Sequence, residues 1–267
     1  MACKIIQFKP RAEKNEVFSN KLLARAIEYS IKNDKHAFIH FIDDLYTNNA
    51  ISLNDIEELK KYLEKRSRSG DVDMTYFLAN IYHKSFQTEE YDRAKLLYEK
   101  AIDMGSVEAL TDLGNLYFLG CGVKKSLKKA RELYEMAAKE NDRDALHNLA
   151  CMYYDGVGVA KNLLKAMQWY EKAAELGNPN SIFNLGRMYF YGEATKQDYA
   201  TAKKYYEKAA KLGDASAFYE LGAMYANGEG CEIDFGKALQ YFELANRCGV
   251  EDAPAAIKAV KNHMKRL

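Results

Sequence analysis

Residues Ala145–Gly177, ALHNLACMYYDGVGVAKNLLKAMQWYEKAAELG, decide the reading of this chain, because their pattern returns at a fixed interval elsewhere in it. The second half, KAMQWYEKAAELG from Lys165, is matched by RAKLLYEKAIDMG from Arg93, KARELYEMAAKEN from Lys129, TAKKYYEKAAKLG from Thr201 and KALQYFELANRCG from Lys237, and with Lys165 in its place the five begin 36 residues apart. The first half returns as ALTDLGNLYFLGCGV from Ala109, SIFNLGRMYFYGEAT from Ser181 and AFYELGAMYANGEGC from Ala217. Two motifs held in constant phase over several copies mark a tandem array, in which each unit buries its apolar face only by stacking on its neighbours.

Counting each unit from its opening residue (Gly70, Gly105, Asn141, Gly177, Gly213, with Gly249 opening a truncated sixth) makes the pattern explicit. The first unit is one residue shorter, lost in its HKSFQTEEY loop. Step +4 is small at Ala109, Ala145, Ser181 and Ala217, with Met74 the exception. Step +8 is Leu78, Leu113, Leu149, Leu185 or Leu221; step +9 is Gly or Ala; step +12 is Tyr82, Tyr117, Tyr153, Tyr189 or Tyr225. At about 100° per residue these steps share one broad helix face. Small residues at +4 and +9 predict close approach of a second helix, and a bulky side chain there would overpack the contact at a cost of ~1–3 kcal/mol. The second half carries Ala94, Ala130, Ala166, Ala202 and Ala238 in one register, each followed by an aromatic pair or a Leu-Tyr pair. Gly-x-Gly loops such as Gly156–Gly158 suit the turn between the helices, and the opening glycines suit the end of the second helix.

This pattern resembles the Sel1-like repeat, a relative of the tetratricopeptide repeat with a longer inter-helix loop. The unit with Gly156, Gly158, Val159, Trp169 and Tyr170 carries the resemblance most fully. Departures are local: Ala79 and Ala150 stand for the glycine, Ala194 for the second loop glycine, and Asn141 opens its unit. The resemblance implies an all-α, right-handed superhelical solenoid of antiparallel helix pairs, used for protein–protein contact in signalling, secretion and stress, with no shared catalytic residues. Relatives with disulfides inside each unit place cysteines where this chain does not. The expected organisation is a short polar arm over 1–15, a helical amino-terminal cap with a degenerate repeat over 16–69, five repeats over 70–248, and a capping helix over 249–267. Ser52 and Asn54 are the expected caps of the helix IEELKKYLEK, and Pro254 suits a first turn.

Charge and cysteines narrow the function. Lys and Arg total 39 against 38 for Asp and Glu, a balance that speaks against phosphate neutralisation as the main task. No run approaches the ~18 apolar residues of a membrane span, and MACKIIQFKPRAEKN is not a secretory signal. Five cysteines, an odd number at unrelated positions, read as reduced thiols in a cytoplasmic protein. The expectation is a monomeric, cofactor-free, non-catalytic scaffold or adaptor of bacterial regulation or signalling; a secreted, host-directed factor of the same fold is the alternative.

The steps opposite the packed face of the first helix should carry the partner, a protein or peptide held in the concave groove that the resemblance implies. They gather Tyr76, Asn80, His83, Asp112, Asn115, Phe118, His147, Asn148, Tyr154, Phe183, Asn184, Arg187, Tyr191, Tyr219 and Glu220. Asparagine both donates and accepts, so it can grip a peptide backbone, while aromatics add contact area and acids favour a basic ligand. Some of these aromatics could equally cover their own loop. Three other chemistries have partial signatures in the chain. Ser126-Leu127-Lys128-Lys129 holds the S-x-x-K of β-lactam-type hydrolases but no S-D-N or K-T-G, and Ser126 suits a helix cap. His36, His40 and Asp44 have metal-ligand spacing but also form the polar stripe of an amphipathic helix. RNA-binding repeats present basic grooves, unlike this acid-rich one.

Overall fold

The computed structural model describes residues 53–84 and 88–265. Twelve helices follow one another among them: α1 (Leu53–Arg68), α2 (Val72–Lys84), α3 (Thr88–Asp103), α4 (Glu108–Leu119), α5 (Leu127–Lys139), α6 (Arg143–Asp155), α7 (Leu163–Glu175), α8 (Pro179–Tyr191), α9 (Tyr199–Lys211), α10 (Ala215–Asn227), α11 (Phe235–Arg247) and α12 (Ala253–Met264). No strand occurs among the described residues, so the fold is all-α, of the helical-repeat solenoid class. The chain separates into two compact units, one ending at Glu140 and the other beginning at Asn141. Within the first, α1 is followed by the pairs α2–α3 and α4–α5; within the second, the pairs α6–α7, α8–α9 and α10–α11 are followed by α12, each helix packing on the next. The expected arm, most of the expected cap, and the His36, His40 and Asp44 stripe lie outside the described residues. No described helix is long and apolar enough to cross a membrane.

Most helices of the paired repeats begin at a side chain that meets an otherwise orphaned backbone N–H. Asp142, Asn178 and Asp214 accept from the backbone N–H of Ala145, Ser181 and Ala217 at 2.7, 2.8 and 2.8 Å. Second helices use Asn162, Asp198 and Asp234 in the same way. Ser126 belongs to this series: its Oγ accepts from the Lys129 N–H at 3.3 Å, the capping role its position suggested. Pro254 falls in the first turn of α12. One expected cap is corrected: α1 starts at Leu53, so Asn54 lies inside the helix, exposed, while Ser52 is outside the described residues.

The ends of the helices demand left-handed backbone, and two non-glycine residues supply it. Asn141 (φ 59°) opens its unit and Ala194 (φ 61°) takes the second loop position, where Gly122, Gly158 and Gly230 stand in other units. Asparagine tolerates this region; alanine pays the usual steric cost of an L-residue there.

The seam between paired helices is an aromatic ring set against a missing side chain. Tyr98, Tyr134, Tyr170 and Tyr206 of the second helices are the largest fully buried side chains. A Cβ on Gly114 would lie 2.5 Å from Tyr134 Cε1, one on Gly186 2.7 Å from Tyr206 Cδ1, and one on Gly222 2.7 Å from Phe242 Cδ1. Around this contact the +12 tyrosines stack on the neighbouring second-helix ring, Tyr189 on Tyr205 at 5.5 Å and Tyr225 on Tyr241 at 5.7 Å. Leu149, Leu185 and Leu221 at +8 are fully buried beside them.

Two stability changes follow. Gly186→Val should cost about 1–3 kcal/mol by overpacking Tyr206. Gly186→Ala should stay within about 1 kcal/mol of wild type, since alanine gains about 1 kcal/mol of helix propensity and Ala150 already holds this step against Tyr170. Equal losses in urea melts of the two variants would refute the ring contact as the seam. Ala194→Gly should raise stability by about 0.5–1 kcal/mol, the relief of left-handed strain less the greater freedom of the unfolded glycine chain; a drop in the urea midpoint would contradict the strain.

Candidate partner-binding face

The second-helix tyrosine reaches past its glycine, so its hydroxyl arrives on the far face of the first helix, the one expected to meet a partner. A phenol buried there needs a hydrogen-bond partner. The units answer that need differently. In the first, His83 Nδ1 lies 3.0 Å from the Tyr98 hydroxyl. In the second, Tyr134 donates to Asn115 Oδ1 at 2.7 Å. In the third, the Tyr170 hydroxyl and Cys151 Sγ are 3.4 Å apart. In the fifth the ring is Phe242, opposite Ala223, and there is no hydroxyl to satisfy. In the fourth, Arg187 stands at the step occupied by Asn115, Cys151 and Ala223, and the buried Tyr206 hydroxyl has no hydrogen-bond partner among the described residues.

In the unit ending at Glu140, the expected face is largely consumed by the fold. Tyr76 and Asn80 are 4% and 5% exposed, which corrects their reading as open contact residues, and the neighbouring Phe77 is fully buried. The Tyr76 hydroxyl donates to Asp112 Oδ2 at 2.8 Å and the Asn80 amide to the Tyr76 carbonyl at 3.2 Å. Burial, then the Asp112 carboxylate, hold the Tyr76 phenol well above its ordinary range. Asn115 also donates weakly to Asp112, at 3.4 Å. Only Phe118, half-buried near the end of α4, keeps open surface without a polar tie. A hollow of about 430 Å³ opens instead beside α1, α2 and α3, among Leu78, Leu96, Leu97 and Tyr82. Its cations are already engaged, Arg93 by the Tyr82 hydroxyl and Lys100 by the Ser67 carbonyl.

The unit from Asn141 keeps the face accessible. His147, Asn148, Tyr154, Phe183, Asn184, Arg187, Tyr219 and Glu220 are half-buried, and Tyr191 is 57% exposed. Phe183 lies 5.5 Å and Phe190 6.4 Å from the Tyr206 ring, so both are half core and half surface. Tyr219 leans in the same way on Phe242 at 5.2 Å. The Tyr154 hydroxyl donates to Glu193 Oε2 of the next unit at 2.7 Å, and burial followed by that bond pushes the phenol up to about 12. His147 Nδ1 is 2.9 Å from Ser181 Oγ, and its Nε2 is 3.4 Å from Cys151 Sγ. By contrast Asn184, Arg187 and Glu220 make no hydrogen bond or ion pair among the described residues. Burial raises the Glu220 carboxyl, with the Glu229 charge adding and Arg187 opposing. Burial likewise drives the Tyr206 phenol far up.

Sequence periodicity read the expected face from the first helices alone and named none of Glu193, Ser181, Cys151 and Tyr206 in it. The last two had a readable signal: the step that faces the ring loses its polar group, at Ala223, in the one unit where the ring loses its hydroxyl, at Phe242. Among the described residues no group of three or more His, Cys, Asp and Glu is placed to hold a metal ion.

Comparison with known proteins agrees with the repeat register. The Sel1 repeat family matches residues 72–106, 107–142, 143–178, 179–214 and 215–250. Among solved structures, a Sel1 repeat protein from Oxalobacter formigenes is 29% identical over 79% of this chain and 61% of its own, with a TM-score of 0.69. A protective antigen present in uropathogenic Escherichia coli strains, displaying an SLR fold, is 24% identical over 89% of this chain and 51% of its own, with a TM-score of 0.68. An immunity protein from Pseudomonas aeruginosa is 30% identical over 68% of this chain and 67% of its own, with a TM-score of 0.50. The chain therefore spans 61% and 51% of the lengths of the first two. No curated protein sequence matches it.

The unequal hydroxyls give a paired prediction. Tyr134→Phe should lower stability by about 1 kcal/mol through its lost bond to Asn115, whereas Tyr206→Phe should raise it by about 1 kcal/mol by removing an unsatisfied buried group. Thermal melts that move the same way for both would show the Tyr206 hydroxyl to be satisfied after all.

Proposed function

Because this chain belongs to the Sel1 repeat family, whose fold is generally a protein-interaction scaffold, we propose that it is a non-catalytic adaptor that holds a polypeptide on the first-helix face of the unit from Asn141. The observation that carries the reading is the buried, unpaired Tyr206 hydroxyl, with Arg187, Asn184 and Glu220 uncommitted on the helices around it. A polypeptide backbone offers what these groups lack: carbonyls for the tyrosine hydroxyl and the guanidinium, N–H groups for the Glu220 carboxylate, and either for the Asn184 amide. Tyr191, Phe183 and Tyr219 supply flanking contact area. Glu193, Glu220 and Glu229 against Arg187 favour a ligand that brings lysine or arginine. The same acidity argues against nucleic acid. Cys121, Cys151, Cys231 and Cys248 are free thiols, which suits a reducing, cytoplasmic setting and a monomer held together without disulfides.

The likeness to the Pseudomonas aeruginosa immunity protein supports a second reading, a role as an immunity protein. It keeps the same face and changes only the partner.

Panning a displayed 15-residue random peptide library (roughly the span of a short linear motif) against the purified chain tests the proposal. Selected peptides should be rich in lysine or arginine. Arg187→Ala, Asn184→Ala and Tyr206→Phe should each weaken them about tenfold, ~1.4 kcal/mol, and the first two should leave melting nearly unchanged. Peptides that bind the wild type and all three variants equally would assign binding to another surface.

A further inference from the structure

His147 and Cys151 occupy one turn of α6, and together with Ser181 of α8 they form a relay that the scaffold role does not use. His147 Nδ1 is 2.9 Å from Ser181 Oγ, and His147 Nε2 is 3.4 Å from Cys151 Sγ. The Tyr170 hydroxyl of α7 approaches the same sulfur to 3.4 Å. A nucleophile within reach of a base, with the base oriented by a third group, is the general arrangement that activates a thiol or hydroxyl. The Ser181 side chain is fully buried and its own N–H is fixed by the Asn178 cap, so the orienting atom is held rigidly. The Tyr170 ring is fixed by burial and by contact with the His147 ring at 5.6 Å. Cys151 itself is only half-buried and lies at the step where Arg187 stands one unit later, on the open face. The described cysteines offer an internal contrast: Cys231, also half-buried, faces the Met224 and Glu229 carbonyls at 3.6 and 3.7 Å, acceptors that cannot take its proton or stabilise a thiolate.

We propose that Cys151 is a histidine-activated thiol that undergoes exchange with low-molecular-weight disulfides. With its Nδ1 proton donated to Ser181 Oγ, His147 presents Nε2 as the base. The Cys151 thiol gives its proton to Nε2, and the thiolate is held by the imidazolium and the Tyr170 hydroxyl. The sulfur attacks one sulfur of the disulfide RSSR. The Cys151–S bond to that sulfur forms, the original S–S bond breaks, and the departing RS⁻ takes the proton back from His147. The net change is Cys151 thiol plus RSSR to the Cys151 mixed disulfide plus RSH. His147 acts on the reacting sulfur; Ser181 positions it. The reaction goes beyond the scaffold role and does not require a bound polypeptide, although the mixed disulfide would place new bulk on the face where one is proposed to lie.

The test uses the full reduced chain with oxidised glutathione, and in parallel iodoacetamide, followed by site-resolved mass spectrometry of each cysteine. A cysteine beside a histidine that can take its proton is a better nucleophile than one facing only carbonyl oxygens. Cys151 should therefore react about tenfold faster than Cys231 with both reagents. His147→Gln should remove that advantage. Ser181→Ala, which installs the residue found at the same step as Ala109, Ala145 and Ala217 and so keeps the fold, should slow Cys151 severalfold while leaving Cys231 unchanged. A wild-type Cys151 that reacts no faster than Cys231, or a Cys151 rate that neither substitution lowers, overturns the proposal.

Discussion

The structure depends on one steric condition, that the first helix of each pair carries little or no side chain where the second helix delivers its aromatic ring. At Gly114, Gly186 and Gly222 an added Cβ would meet the ring closer than 3.0 Å, so helix spacing and ring position are set together. Both partners lie in the interior: the rings of Tyr134, Tyr206 and Phe242 are at most 4% exposed, so this step accepts nothing larger than alanine without repacking. Interiors packed at this density answer a misplaced methyl by strain rather than by flow. The leucine at +8 and tyrosine at +12 then fill the volume on either side of a spacing already decided.

This solution has a polar by-product. A tyrosine long enough to cross the seam must put its hydroxyl somewhere, and the geometry puts it at the opposite face of the first helix. In the second and third units the residue at +10 therefore does two jobs, satisfying a core phenol and forming part of the surface. Asn115 satisfies Tyr134 by accepting its hydrogen bond at 2.7 Å, which commits the Asn115 Oδ1 to the core. Cys151 meets Tyr170 with a weak sulfur contact at 3.4 Å and keeps its reactivity. Ala223 avoids the problem because Phe242 has no hydroxyl. Arg187 leaves Tyr206 unsatisfied, and an unsatisfied buried donor is a larger perturbation than the modest net value of a made hydrogen bond. Where the stack leaves such a group, a ligand gains more by supplying the partner than it would at a site already satisfied.

Most of the fold was legible because its determinants are local and periodic. The 36-residue interval and the small residue at +9 both depend on spacing along a single helix or loop. The departures were informative too, since Asn141 and Ala194 adopt the left-handed backbone of the glycines they replace. The site was legible only as a face. Helical spacing states which residues point away from the seam, but not whether other chain covers them, and so Tyr76 and Asn80 were read as open although they are buried. Contacts between units, such as Tyr154 to Glu193 and His147 to Ser181, depend on how far each unit is displaced along the next. That displacement is a property of packing, which no single-helix projection contains. The mistaken place of Asn54 has a similar origin: asparagine next to an amphipathic run suits a cap, but Leu53 before it is already helical.

The division between seam and face also explains how such an array can diversify without losing its fold. Steps +8, +9 and +12 hold one residue type or one size in all five units, because each is fixed by contact with the ring or its neighbours. Step +6 passes through Tyr76, Thr111, His147, Phe183 and Tyr219, and step +10 through Asn80, Asn115, Cys151, Arg187 and Ala223. These changes span apolar, polar, nucleophilic and cationic chemistry at positions a few ångströms from the strictest packing in the molecule. They are tolerated because the first-helix backbone, kept at constant distance by the ring and the missing side chain, screens one face from the other. The single channel through that screen is the tyrosine hydroxyl. It ties a residue of the face to the core, His83 in the first unit and the +10 residue in the second and third, and so makes the chemistry of the face depend on how each unit deals with one phenol.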